Sequence, residues 1–69
     1  MIIRIRVNGM SCGHCAKSVQ GSLEQISGVE AVEVNLQEKI ATITSSTVIS
    51  EHLIKNAIEE EGYEFGGIL

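Results

Sequence analysis

The hydrophobic residues of this chain change their period as the sequence advances, and that change constrains the fold more than any other feature. Ile3, Ile5 and Val7 alternate with Arg4 and Arg6, the period of a half-buried strand. Ala16, Val19, Leu23 and Ile26 then recur at steps of three, four and three. That is one face of an amphipathic helix, predicted over 13–27 with Gly28 as its stop. Val32, Val34 and Leu36 return to strand alternation around Glu33 and Asn35. After the short connection Gln37-Glu38, Lys39, Ala41 and Ile43 share one side of a third strand, with Ile40, Thr42 and Thr44 on the other. Strands joined so tightly make a hairpin. Ser50 suits an N-cap, and Leu53, Ile54, Ala57 and Ile58 form the stripe of a second helix ending before Gly62. Tyr63 and Phe65 open a short fourth strand before Gly66-Gly67. The order β-α-β-β-α-β predicts an α+β, ferredoxin-like sandwich: a four-stranded antiparallel sheet with two helices on one face.

Sixty-nine residues predict a single domain, 1–69. A chain this short buries about 60% of its unfolded surface. It has little room for a core and a deep cleft together, so function is expected on a surface loop. The formal net charge is −4, from nine glutamates, no aspartate and five basic residues. That excludes non-specific nucleic-acid binding, which needs a basic surface. One tyrosine, one phenylalanine and no tryptophan exclude a base-stacking platform. Met1–Val7 lacks the long apolar run of a signal peptide or a membrane span. No membrane insertion is expected, and the chain is read as cytoplasmic. In that compartment two cysteines are expected to be reduced, metal-binding or catalytic.

Both cysteines lie in Cys12-Gly13-His14-Cys15, at the start of the first helical pattern. Thiolates at this spacing can grip one soft metal ion or form one disulfide. A helix starting near Gly13 aims backbone N–H groups and its positive dipole end at the sulfurs, favouring thiolate. The topology places the loop after the first strand and the loop after the second helix at the same end. Gly62, Tyr63 and the run Glu59-Glu60-Glu61 are therefore expected near the pair. The glutamates read as a solvated helix end or as an acidic rim for docking.

Gly9-Met10-Ser11-Cys12-Gly13-His14-Cys15 after a first strand, with Glu61-Gly62-Tyr63 after a second helix, resembles the heavy-metal-associated domain family. Within it the chain is similar to the small bacterial copper chaperones. The family motif is G-M-x-C-x-x-C, matched here at every fixed position, and the likeness covers nearly the whole chain. The resemblance implies that Cys12 and Cys15 bind one Cu(I), passed to a partner by thiol exchange. The implied partner is the metal-binding domain of a copper-transporting P-type ATPase, or a copper-responsive regulator. It also implies a Met10 that points inward and holds the loop. Cu(I) is soft, tolerates few ligands and prefers thiolates. Relatives selective for zinc, cadmium or lead often carry an acidic residue beside the first cysteine. Ser11 stands there instead, favouring Cu(I) over Zn(II), which wants about four ligands. Zn(II) or another soft metal can still bind in vitro.

Around the pair, His14 is read as an exposed non-ligand or docking residue, with an occasional ligand role in a dimer or partner complex as the alternative, and His52 as an ordinary surface histidine. Lys17 either offsets thiolate charge or is simply solvated. The Tyr63 ring can shield the site and its hydroxyl can donate to a sulfur, or it is a partly buried strand residue. A monomer is expected without metal, and an exposed site permits a metal-bridged homodimer. Rival classes are a thiol–disulfide redox protein, a mercury-binding protein and a module of a metal-pumping ATPase. Thioredoxin-like chains carry a cis-proline opposite the cysteines, and this chain has no proline. Mercury-binding relatives are usually exported, which a leaderless sequence does not suggest. A length of 69 residues beginning at Met1 favours a free-standing carrier over the pump module. No enzyme activity is expected, since no acid–base pair or cofactor loop is present.

Overall fold

Each element forms where its periodicity lets one side leave water. The computed structural model describes residues 1–69. It runs β1 (Ile2–Asn8), α1 (Gly13–Glu24), β2 (Val29–Asn35), β3 (Ile40–Ser45), α2 (Glu51–Glu60) and β4 (Glu64–Ile68). The expected element order is therefore observed. The sheet order is β2-β3-β1-β4, with every neighbouring pair antiparallel. Ile5 and Val7 of β1, with Ala41 and Ile43 of β3, meet Val19 and Leu23 of α1 and Ile54 and Ile58 of α2 in one core. All eight are completely buried. Each such Val, Leu or Ile contributes about 1.5–3 kcal/mol of burial. Conformational entropy cancels most of that sum.

Several boundaries differ from the periodicity. α1 stops at Glu24, short of Ser27. The Gln25 and Ile26 N–H groups donate to the Ser22 and Leu23 carbonyls at 3.3 and 3.1 Å, a tightening of the last turn toward 3₁₀ geometry. Gly28 then reverses the chain at φ +94°. Ile26 still packs on the core, so its apolar spacing outlasts the helix. β2 begins at Val29 rather than Val32. A register shift between Val29 and Ala31 breaks the alternation there and hides the strand start. β2 ends at Asn35, which leaves Leu36 in the turn.

Lys39 is not part of β3. It occupies the turn at φ 61°, while Asn35 Oδ1 accepts the Glu38 N–H at 3.0 Å. Leu53, expected on the α2 stripe, is 51% exposed. Ile54 and Ile58 of this helix are buried in the core, with Ala57 packed against it. Ser50 does hold the N-cap position, but its hydroxyl makes no capping bond. β4 continues through Gly66 and Gly67 to Ile68. A Cβ on Gly66 would stand 2.9 Å from Arg6 Cγ, so the glycine lets the arginine stem cross the strand.

Antiparallel register puts three connections at one end. Arg6 pairs with Ile40, Asn8 with Glu64 and Asn35 with Ile40. The β1–α1 loop, the β2–β3 turn and the α2–β4 connection therefore share that pole. The start of α2 lies at the other.

Candidate metal centre

The cysteine loop is anchored at both ends before any sulfur is placed. Asn8 Nδ2 donates to Glu64 Oε1 at 3.1 Å, tying the end of β1 to the start of β4. Gly9 follows at φ +97°, and a Cβ there would lie 3.6 Å from Tyr63 Cδ1. There is room for a side chain; the left-handed turn is what asks for glycine. Met10 is buried in the core, as the resemblance implied, and pins the loop from below. Ser11 and Cys12 are exposed. Cys12 is the N-cap of α1, with an extended backbone at φ −157° and ψ 174°. Its carbonyl accepts the Cys15 and Ala16 N–H groups at 3.1 and 3.3 Å. The helix therefore starts at the pair as expected. Cys12 Sγ, however, caps no N–H. The helix acts on that sulfur through its dipole alone.

Both cysteines are free, Cys12 exposed and Cys15 half-buried. Their sulfurs are 3.5 Å apart, and Ser11 Oγ lies 3.8 Å from Cys15 Sγ. The Cys15 thiol is lowered from its ordinary 9.0 to about 6. The Tyr63 hydroxyl is the chief cause, followed by the Ser11 backbone, the Cys12 side chain and the Ser11 hydroxyl; burial opposes them. The tyrosine hydroxyl acts from outside the distance and angle of a formed hydrogen bond, whereas the Ser11 and Cys12 contacts meet sulfur geometry. In return Tyr63 is raised above its ordinary value, by Cys15 first, then by burial and by the charge of Cys15, Cys12 and Glu61. At neutral pH Cys15 is therefore mostly thiolate, beside a neutral phenol.

His14 stands on the first turn of α1, exposed between the cysteines. With Gly13 and Lys17 it lines a shallow cavity of about 190 Å³. Lys17 also joins Glu60, Glu61 and the polar face of α1 around an open groove of about 330 Å³. Glu60 and Glu61 of the glutamate run thus come beside Lys17, near the cysteine end. His52 is exposed on the first turn of α2, at the opposite pole. Ser11 was legible as the residue before the first cysteine, but not as a neighbour of the second. Helical spacing does not give that contact, because Ser11 precedes the N-cap of α1.

Two sulfurs this close, one exposed and one half-buried, can hold one soft ion. No third His, Cys, Asp or Glu joins them in a metal-sized cluster. This donor set fits a low coordination number better than the four ligands of a structural Zn(II) site.

The chain also matches known proteins in sequence and in fold. The model of the heavy-metal-associated domain matches residues 4–64. A copper chaperone, CopZ of Staphylococcus epidermidis, is 44% identical over 62 residues, covering 87% of this chain and 90% of the relative. A solved CopZ metallochaperone superposes with a TM-score of 0.88 at 33% identity, covering 94% of this chain and 98% of that one. The copper-binding domain of HMA7, a P-type ATPase, also gives a TM-score of 0.88 at 33% identity, over 99% of this chain and 92% of that one. By motif, by fold and by these matches, the chain belongs to the heavy-metal-associated domain family.

Proposed function

We propose that this chain is a copper carrier, not an enzyme, that binds one Cu(I) between Cys12 and Cys15 and hands it to a partner domain. The observation that carries the reading is the pair of sulfurs 3.5 Å apart, one exposed and one half-buried, with no third His, Cys, Asp or Glu clustered with them. Two thiolates and one monovalent cation leave a single negative charge, which the start of α1 offsets. An open, two-coordinate ion is reachable by an incoming thiolate without unfolding of the site. Tight holding and fast release are then compatible, because each bond to copper breaks only as another forms. The partner is a thiolate-bearing metal-binding domain, of a copper-transporting P-type ATPase or of a copper-responsive regulator.

The names of the relatives support the same cargo, a copper chaperone in one case and a copper-binding pump domain in another. The second of these also supports an alternative setting, in which this domain is the metal-binding module of a pump. No helix is long and apolar enough to cross a membrane, which fits our reading of a cytoplasmic carrier folded as one unit over 1–69. Without metal it is monomeric, and apposed cysteine pairs would allow a metal-bridged dimer.

The test is an anaerobic competition titration with Cu(I) and Zn(II) against chelators of known affinity, with stoichiometry from native mass spectrometry. Tight Cu(I) at one per chain, weak Zn(II), and loss of tight Cu(I) in both Cys12→Ser and Cys15→Ser are expected. Full Cu(I) affinity in either variant would rule out the two-thiolate site. Tight Zn(II) with ordinary Cu(I) would reassign the metal.

A further inference from the structure

The last turn of α2 leaves one carbonyl to be claimed from outside the helix. Gly62 turns at φ +89°. Its N–H donates to the Glu59 carbonyl at 3.0 Å, and the Tyr63 N–H donates to the Ile58 carbonyl at 3.2 Å. These are the two bonds of a Schellman ending, with glycine in the left-handed position. The Glu61 N–H also donates to Ile58, at 3.2 Å. It therefore does not serve the Ala57 carbonyl, the helical acceptor four residues back. A donor for Ala57 comes instead from α1, where Ser22 Oγ donates to its oxygen at 3.0 Å. Ser22 stands seven residues after Cys15, two turns along one face of α1. The helix that begins at the cysteine pair is thus tied to the end of the helix that delivers Tyr63. Ile58 is completely buried and Tyr63 packs against the core, so the short path from Ala57 to Tyr63 is fixed at each step.

We propose that Ser22 is a positioning residue: its bond to Ala57 fixes the end of α2 against α1 and so holds Tyr63 over the cysteine loop. The Tyr63 ring lies against Gly9 there. For its consequence on copper the proposal rests on the carrier reading above. A ring held over the loop closes one side of a bound ion to an incoming ligand, so the tie slows the loss of copper to competitors. Ser22 lines the open groove beside Glu60 and Glu61, so solvent reaches the Ala57 oxygen when the hydroxyl is removed. Alanine is also the better helix former. Ser22→Ala therefore loses the tie and keeps the fold.

Tyr63 is the only tyrosine and there is no tryptophan, so the emission of reduced, metal-free protein reports this one ring. Acrylamide quenching of that emission is compared among folded wild type, Ser22→Ala and Ser22→Thr. Ser22→Ala should be quenched about twofold faster, within the factor associated with one hydrogen bond. Ser22→Thr, which keeps the hydroxyl, should match wild type. Gly28→Ala, strained at the opposite pole, should match it too. Equal quenching in Ser22→Ala and wild type would overturn the proposal. So would an equal rise in Gly28→Ala, which would make the effect one of stability. In protein loaded with one Cu(I), checked by native mass spectrometry, a Cu(I) chelator should remove copper from Ser22→Ala about twofold to tenfold faster than from wild type. In a Tyr63→Leu background the same substitution should change nothing. A wild-type rate in loaded Ser22→Ala, or a difference that survives in Tyr63→Leu, would overturn the route through Tyr63. A chain that does not load defeats the carrier reading and the copper consequence with it, while the quenching still decides the placement of Tyr63.

Discussion

Tyr63 reaches the cysteine loop from the far end of the sequence, and its ring lies over Gly9. Its hydroxyl is the first cause of the fall of Cys15 to about 6. Tyr63→Phe should therefore move the half-titration point of Cys15 upward, read as the pH dependence of its alkylation in reduced, metal-free protein. An unmoved titration would remove the tyrosine from the site. Gly28 is a second residue-scale case, at the opposite pole. Its φ is +94°, and a Cβ would lie 2.5 Å from Thr47 Oγ1. Gly28→Ala combines left-handed strain with a clash, so it should destabilise by about 1–3 kcal/mol. The urea midpoint should fall while Cu(I) affinity holds. Gly28 was legible in sequence as a helix stop, but the approach of Thr47 was not, because Thr47 is brought there by a different connection.

At the scale of elements, α1 carries an internal glycine with no packing reason for it. Nothing lies within 4 Å of a Cβ at Gly21. Glycine inside a helix costs roughly 0.5–1 kcal/mol relative to alanine, so Gly21→Ala should raise the unfolding free energy by about that amount. The pair Gly21→Ala and Gly28→Ala thus makes opposite predictions for one substitution type, decided by φ and by space. α2 ends on Glu59-Glu60-Glu61, with no basic residue in its last turn. Those charges oppose the helix dipole. Glu60→Lys should stabilise by about 0.3–1 kcal/mol at low ionic strength, and the gain should fade in a thermal melt at high salt. The helices and strands themselves were readable from periodicity, since the buried positions recur at the predicted steps. Their ends were not. The tightened turn after Glu24 and the irregular pairing at Val29 answer to where the chain must go next, and local spacing does not record that.

For the whole molecule, the depressed Cys15 titration couples folding to pH. In the unfolded chain this thiol titrates near its ordinary 9.0, in the fold at about 6. Between those values the unfolded state binds more protons, so the contribution of Cys15 to stability grows with pH. It is fully present above the unfolded value and lost as pH falls through the folded one. The melting temperature of reduced, metal-free protein, corrected by the same scan of Cys15→Ser, should therefore rise from pH 6 to pH 9. A corrected scan that is flat or falling would contradict the shift. Copper should add to this, because a ligand that binds only the native state stabilises in proportion to the logarithm of its concentration over Kd.

The order of elements, most of the residues that face the core and the position of the cysteine motif were determined by the sequence alone. Each is a local property: a period, a spacing, a turn residue. What the tertiary structure decided is what surrounds each sulfur. Tyr63 beside Cys15 depends on β4 pairing with β1, and the burial of Met10 on the helices closing over the sheet. The unequal environments of Cys12 and Cys15 depend on both, together with an extended N-cap that carries Ser11 to the second sulfur. The contacts of Tyr63 and Met10 join residues far apart in the chain. They are set when the layers pack, and no local pattern of side chains encodes them.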